Sequence, residues 1–220
     1  MDKGLIFDYG GTIDTGGRHW GKVFWHAYQY CGIPVTEPQF REAYVCVERM
    51  LGSNPVIQPD FTFRQTLETK LRLQLEYLGL HDSYGIVPFL YRQVEMTTAH
   101  SREVLLTLKQ CYPMALVSNF YGNLDVVLRE FSLEGLFQCV IDSAVVGVRK
   151  PDSRIFAIGV KALGLEASDI TVIGDSMKND IIPAKSLGCR TVWLKGEGWT
   201  DTEVDESIPD RVISDLAEMV

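Results

Sequence analysis

The sequence predicts an α/β fold: a doubly wound, mostly parallel sheet core with helices on both faces, carrying a helical block inserted near its start. Three observations predict it. Short apolar runs of strand length recur at residues 3–8 (KGLIFD), 114–118 (MALVS), 140–142, 171–174 (TVIG) and 191–194 (TVWL). From about residue 101 these runs alternate with helical patterns at residues 102–110, 123–131, 153–163 and 180–187. Between residues 15 and 98 no strand pattern is found, and apolar residues recur at helical spacing.

The first run ends at Asp8 and is followed by Gly10 and Gly11, which reads as a buried strand breaking into a tight loop. The segment leading into the helical block, GGRHWGK, reads as a loop whose Gly16, Gly17 and Gly21 suit a hinge. Within the block, Thr36 is a helix N-cap with Pro38 in the first turn, and Phe40, Ala43, Tyr44, Val47, Met50 and Leu51 form one apolar face. A second helix from Asp60 places Phe63, Leu67, Leu71, Leu75 and Leu78 on its apolar side and stops at Gly79. The expected organisation is a core of residues 1–14 plus 99–220 and a helical cap of residues 15–98. A helical block placed after the first strand would cover the carboxyl ends of the strands, where such folds bind ligands, so it reads as a lid. Its aromatic and methionine side chains, Trp25, Tyr44, Met50, Phe63, Tyr77 and Phe89 among them, read as lid core. Pro183 fits a helix that starts at an Asn179 N-cap, because a first-turn proline loses no hydrogen bond.

With 220 residues, 46% hydrophobic and 23% charged, the chain can bury a sizeable core and has no disordered, fibrous or membrane character. The net charge of −8, with scattered basic residues, argues against a nucleic-acid partner. Five well-separated cysteines without a CxxC pair fit a reducing compartment better than a disulfide framework or a structural zinc site. No leader pattern and no run near the ~20 apolar residues of a membrane span is present, so the expectation is a cytoplasmic protein with no membrane partner. The sequence leaves monomer and homodimer both open.

Four chemistry-bearing features fall at the ends of the expected strands: Asp8, then Ser118 with Asn119, then Lys150, then Asp175 with Asp180. Any one of them alone reads better as a cap or a solvated group. Four at the one edge where open α/β sheets build their sites reverse that reading. As a set they also make chemical sense. Asp8 and Asp175 could share a hard divalent cation, with Asp180 holding a metal-bound water. Lys150 would balance phosphoryl charge, and Ser118 with nearby backbone N–H groups would bind phosphoryl oxygens.

The segments FDYGGT (7–12), LVSN (116–119), RKPD (149–152) and GDSMKND (174–180), in that order, resemble the four motifs of the haloacid dehalogenase superfamily. The resemblance covers the core, with a Rossmann-like sheet implied, and the helical block matches the position of the cap that many members carry. It implies a Mg²⁺-dependent hydrolase, most often a phosphatase acting on a small phosphorylated metabolite. By resemblance Asp8 is the nucleophile that forms an aspartyl-phosphate, and Lys150 assists it. Gly11, Thr12, Ser118, Asn119 and Lys150 would bind the phosphoryl group. Asp8, the Gly10 carbonyl, Asp175 and Asp180 would serve the metal.

One departure matters. The phosphatases of the family carry at the place of Gly10 an Asp that protonates the leaving group and then activates water, a contribution of roughly 10²- to 10⁴-fold. Members without that Asp include the haloacid dehalogenases, which also lack the carboxylate matching Asp175, and the phosphonoacetaldehyde hydrolases. The latter use a cap lysine for C–P cleavage, for which Lys22 and Lys70 are available here, although both read as solvated surface groups. A catalytically impaired phosphate- and metal-binding member is a further alternative. Replacement of the acid from nearby is another, with Asp14, His19 and Trp20 in the following segment as lid-side contributors. Asp14 reads equally as a turn cap.

Overall fold

The computed structural model describes residues 3–81, 85–200 and 204–220. Among these residues six strands form one sheet: β1 (Gly4–Phe7), β2 (Met114–Ser118), β3 (Cys139–Asp142), β4 (Ile170–Gly174), β5 (Arg190–Leu194) and β6 (Arg211–Ile213). Their order is β3-β2-β1-β4-β5-β6, and every neighbouring pair is parallel. This is the doubly wound Rossmann-like fold that the sequence predicts, with β6 added at one edge.

Alternation of side chains explains the two faces. Leu5, Phe7, Met114, Leu116 and Ile173 pack into one apolar cluster. Ile6, Ala115, Val117, Ile141 and Val172 pack into the other. Phe7 has no exposed surface, and such a burial stabilises by about 1.5–3 kcal/mol. The second face is covered by α7 (Arg154–Leu163), whose Ile155 and Phe156 join its cluster. The first is covered by α5 (Leu124–Glu130) and by the end of a long helix, α4 (Ile86–Lys109), through Val104, Leu105 and Leu108. Two short helices, α6 (Ser143–Val146) and α8 (Ile182–Ser186), complete the core.

Three further helices lie between β1 and α4: α1 (Trp20–Tyr30), α2 (Glu37–Ser53) and α3 (Phe63–Leu78). The expected signals operate in two of them. Thr36 and Gln39 form a capping box at α2, and Gly79 closes α3 at φ 69°. Helix α1 replaces what the sequence suggests is loop: His19 is its N-cap and Gly21 lies inside it. Helix α4 runs unbroken across residues 98 and 99, so the helical block and the core share one element. Asn179 is not the N-cap of α8: it lies inside a π-helical turn, Met177–Ile181, that Ser176 caps by accepting the Asn179 N–H with its hydroxyl, and Ile181 is the N-cap of α8 itself. Pro183 does fall at the start of α8, where no hydrogen bond is lost. Among the described residues no helix is long and apolar enough to cross a membrane, and the five cysteines are free.

Candidate active site

The strand order reverses between β1 and β4, and open α/β sheets take ligands in the crevice at such a switch point. Asp8 follows β1 directly, and its N–H donates to the Ile173 carbonyl at 2.9 Å, which ties the departing loop to β4. That loop, Tyr9–Ile13, is a π-helical turn in which Gly11 adopts φ 102°. A β-carbon at Gly11 would stand on the Asp175 carboxylate, so only glycine allows the β1 and β4 loops to approach this closely.

Asp8 is buried. Its Oδ1 accepts from Lys150 Nζ at 2.5 Å and from Ser118 Oγ at 3.3 Å, and its Oδ2 accepts from Thr12 Oγ1 at 3.2 Å. The Thr12 hydroxyl, with one proton to give, also lies 3.2 Å from Asp175 Oδ1 and accepts the Asp175 N–H at 3.0 Å. Lys150 Nζ donates in addition to Asp180 Oδ1 at 2.7 Å. Burial alone would depress the Lys150 ammonium, but Asp180 and Asp8 outweigh it and hold the pKa above its ordinary value.

Asp8, Asp175 and Asp180 each present a carboxylate oxygen within 4.8 Å of the others. Three carboxylates against one ammonium leave excess negative charge at the strand ends. Burial first, then Asp180 and Asp8, push the Asp175 carboxyl well above the usual range. Burial likewise raises Asp180, although Lys150 opposes it. Closely spaced hard oxygen donors with surplus charge are the donor set that suits a small divalent cation.

The structure assigns other work to several residues expected at a phosphoryl group. The Gly11 N–H donates to Asp14 Oδ1 at 2.7 Å, and the Thr12 hydroxyl is engaged by the two carboxylates. Asn119 accepts the Lys150 N–H at 2.8 Å and donates to the Lys150 carbonyl at 3.0 Å, so its amide clamps the loop that carries Lys150. Ser118 and Lys150 keep their polar groups at Asp8. Gly10, at φ −78°, lines the cavity.

The cavity encloses about 260 Å³ between the strand ends and helices α1 to α3. On the side of helices α1 to α3, Trp20 opens α1 and its indole N–H donates to Asp14 Oδ2 at 2.9 Å. His19 also lines the cavity but is not the proton donor its type suggests. Its Nδ1 accepts the Gly21 N–H at 3.0 Å, its ring lies 5.1 Å from that of Trp199, and burial pushes its pKa down to about 4. The imidazole is therefore neutral near pH 7.

Lys70 corrects a second expectation, for it is only 7% exposed and faces the cavity, whereas Lys22 is half-buried on α1. Lys70 Nζ lies 2.7 Å from Glu48 Oε1 and donates to Tyr121 Oη at 3.2 Å, while Tyr121 donates to Glu48 Oε2 at 2.8 Å. Burial works against the Lys70 charge, yet Glu48 and Tyr44 hold its pKa above the ordinary value. Glu48 and Tyr121 are not singled out by sequence reasoning. The available signal was a polar row, Thr66, Lys70 and Gln74, at four-residue spacing beside the apolar row of α3, and all three are buried.

A family model for haloacid dehalogenase-like hydrolases matches residues 3–188. The chain is 28% identical to the glyceraldehyde 3-phosphate phosphatase of Pyrococcus furiosus over 197 residues, covering 86% of this chain and 78% of that protein. It is 31% identical to the glyceraldehyde 3-phosphate phosphatase of Pyrococcus abyssi over 174 residues, covering 74% and 68%. Among solved structures it resembles the putative hydrolase YfnB of Bacillus subtilis, solved bound to magnesium, at TM-score 0.60 and 20% identity, covering 99% of this chain and 96% of that one.

Proposed function

The chain belongs to the haloacid dehalogenase-like hydrolases, and from that premise we propose that it is a Mg²⁺-dependent phosphatase of small phosphorylated metabolites, with Asp8 as nucleophile. One observation carries the reading: Asp8 is aimed and charge-balanced by Lys150, Ser118 and Thr12, beside the carboxylates of Asp175 and Asp180. In this reading Asp8, Asp175 and the Gly10 carbonyl would hold the metal, with Asp180 supporting them. A bound Mg²⁺ would supply Lewis-acid neutralisation of the charge on the transferring phosphoryl group. Lys150 and Ser118 bind phosphoryl oxygens, and one Asp8 carboxylate oxygen attacks phosphorus to give an aspartyl-phosphate. Residues 15–98 serve as the lid, since Trp20, Glu48 and Lys70 face the cavity from that side and exclude water.

A small cavity and relatives named for glyceraldehyde 3-phosphate both favour a short phosphate ester as substrate. The test is release of phosphate from 4-nitrophenyl phosphate in the presence of Mg²⁺. Activity should vanish on chelation and in Asp8→Asn, and activity untouched by Asp8→Asn would overturn the reading.

The placement of Lys70 in the cavity favours a second reading, C–P cleavage through an imine on that lysine. Its ion pair with Glu48 opposes it, because an imine needs the free amine. Borohydride trapping with an aldehyde phosphonate tests it, and turnover without a trapped adduct excludes it.

A further inference from the structure

We propose that Asp14 is the general acid and base of this site, standing in for the carboxylate that Gly10 lacks. The inference rests on the phosphatase reading above. Three observations locate the group. First, the space over Gly10 is open: a β-carbon built there would meet only Trp20, whose Nε1 would lie 3.8 Å away. Second, that same indole N–H donates to Asp14 Oδ2 at 2.9 Å, so the partner facing the vacant position is held by Asp14 instead. Third, Asp14 is 1% exposed yet lines the cavity with Asp8 and Gly10. The chain delivers it by turning back on itself. The Tyr9–Ile13 turn brings residue 14 over residue 11, and the Gly11 N–H fixes Asp14 Oδ1 at 2.7 Å.

The hydrogen bonds leave room for a proton. Each carboxyl oxygen accepts one N–H, and a second lone-pair site on each stays available. Burial, rather than the number of neighbours on either side, decides the protonation of Asp14. Burial dominates and Asp8 adds to it, whereas the Gly11 N–H, Trp20 and Lys70 oppose it, and the balance raises the pKa to about 7. Tyr9 and Tyr44 also face it; both are raised by burial, and His19 is neutral. Lys70, in turn, is paired with Glu48. A group poised near neutral pH is suited both to donate and to accept.

The proton ledger closes. In the first step an Asp8 oxygen bonds to phosphorus, the bond from phosphorus to the ester oxygen breaks, and the departing oxygen takes the Asp14 proton, directly or across one water. In the second step a water oxygen bonds to phosphorus, its proton returns to the Asp14 carboxylate, and the bond to Asp8 breaks, freeing the carboxylate. The sum is ester plus water to alcohol plus phosphate.

The experiment compares wild type, Asp14→Asn and Gly10→Asp/Asp14→Asn on phenyl phosphate and 4-nitrophenyl phosphate with Mg²⁺. Asn keeps the Gly11 hydrogen bond but carries no transferable proton. Asp14→Asn should lose about 10²-fold or more in turnover of phenyl phosphate, whose leaving group needs the proton. With 4-nitrophenyl phosphate it should release a burst of one nitrophenolate per enzyme and then stall at the aspartyl-phosphate, because water activation is lost for both esters. Gly10→Asp in the same chain should restore turnover at least tenfold, which a variant that merely failed to fold would not do. Turnover within threefold of wild type on both esters, or equal losses with neither burst nor rescue, overturns the role of Asp14. Failure of the phosphatase reading is distinct: wild type would then be inert on both esters or indifferent to Asp8→Asn.

Discussion

Replacing Lys150 by Met keeps an unbranched side chain only one atom shorter and removes the charge from between two buried carboxylates. Nζ stands 2.5 Å from Asp8 Oδ1 and 2.7 Å from Asp180 Oδ1, and both acids are almost wholly enclosed. Breaking a buried ion pair by deleting one partner costs about 3–5 kcal/mol, because the other charge is left unpaired. For a chain of this size each kcal/mol lowers Tm by about 2–4 °C, so the fall expected near pH 8 is roughly 6–20 °C. The loss should also depend on pH with a defined sign. Burial already lifts Asp180 from 3.8 to about 6 with Lys150 in place, and removing the ammonium lifts it further. A carboxyl raised in the folded state takes up its proton there first, so stability grows as pH falls toward the unfolded value and shrinks as pH rises. The gap between wild type and Lys150→Met should therefore be wide at pH 8 and narrow at pH 5, and Mg²⁺ should recover part of it at pH 8. Thermal melts at both pH values, with and without Mg²⁺, read this out. A fall below 2 °C at pH 8, or an equal fall at pH 5, refutes the charge-pairing argument.

The metal-free wild type should itself melt higher at pH 5.5 than at pH 8, since Asp14 and Asp180, raised by burial to about 7 and about 6, must ionise across that window; a rising Tm with pH would contradict those burials. Gly11→Ala forces a β-carbon into the left-handed region and against Asp175, a strain of about 1–3 kcal/mol, and should lose Mg²⁺-dependent phosphatase activity while remaining folded by circular dichroism. Activity like that of wild type would show that the two loops can part freely. Glu48→Gln removes the counter-charge of buried Lys70 but leaves the Tyr121 hydroxyl a partner, so the urea midpoint should fall, and more at pH 6 than at pH 9.5, where Lys70 can shed its proton. A pH-independent shift would mean that Lys70 is not charged in the folded protein.

How much of this was legible depends on which physical signal each residue carries. Strand β2 is read residue for residue because MALVS is buried on both faces and its ends are polar or turn-forming. Strand β6, with only three residues and an exposed Arg211, carries too little apolar pattern to be seen. Helix α1 hides behind Trp20, Gly21 and its many aromatics, none of them strong helix formers. It forms because Val23, Phe24, Ala27 and Tyr28 fall on one buried face, a tertiary gain that outweighs weak propensity. Asp8, Ser118, Lys150, Asp175 and Asp180 were legible as a constellation because a doubly wound parallel sheet brings every strand's carboxyl end to one edge. Lys70 was not, because pattern reading assigns lysine to solvent, and only the three-dimensional meeting of α2 and α3 supplies the Glu48 that makes its burial tolerable.

The two carboxyls closest to the chemistry are held by different parts of the molecule. Asp8 is fixed from within the core, by Lys150, Ser118 and Thr12, and among the described residues no side chain of α1 to α3 hydrogen-bonds to it. Asp14 is fixed from both sides, by the Gly11 N–H in the core loop and by the Trp20 indole at the first residue of α1. The nucleophile of the proposed mechanism is therefore positioned by core residues alone, while the proton donor is positioned in part by Trp20 of α1. In the proposed mechanism this couples the choice of substrate to proton transfer: a ligand that keeps Trp20 from seating on Asp14 leaves Asp8 able to attack but the leaving group without its proton.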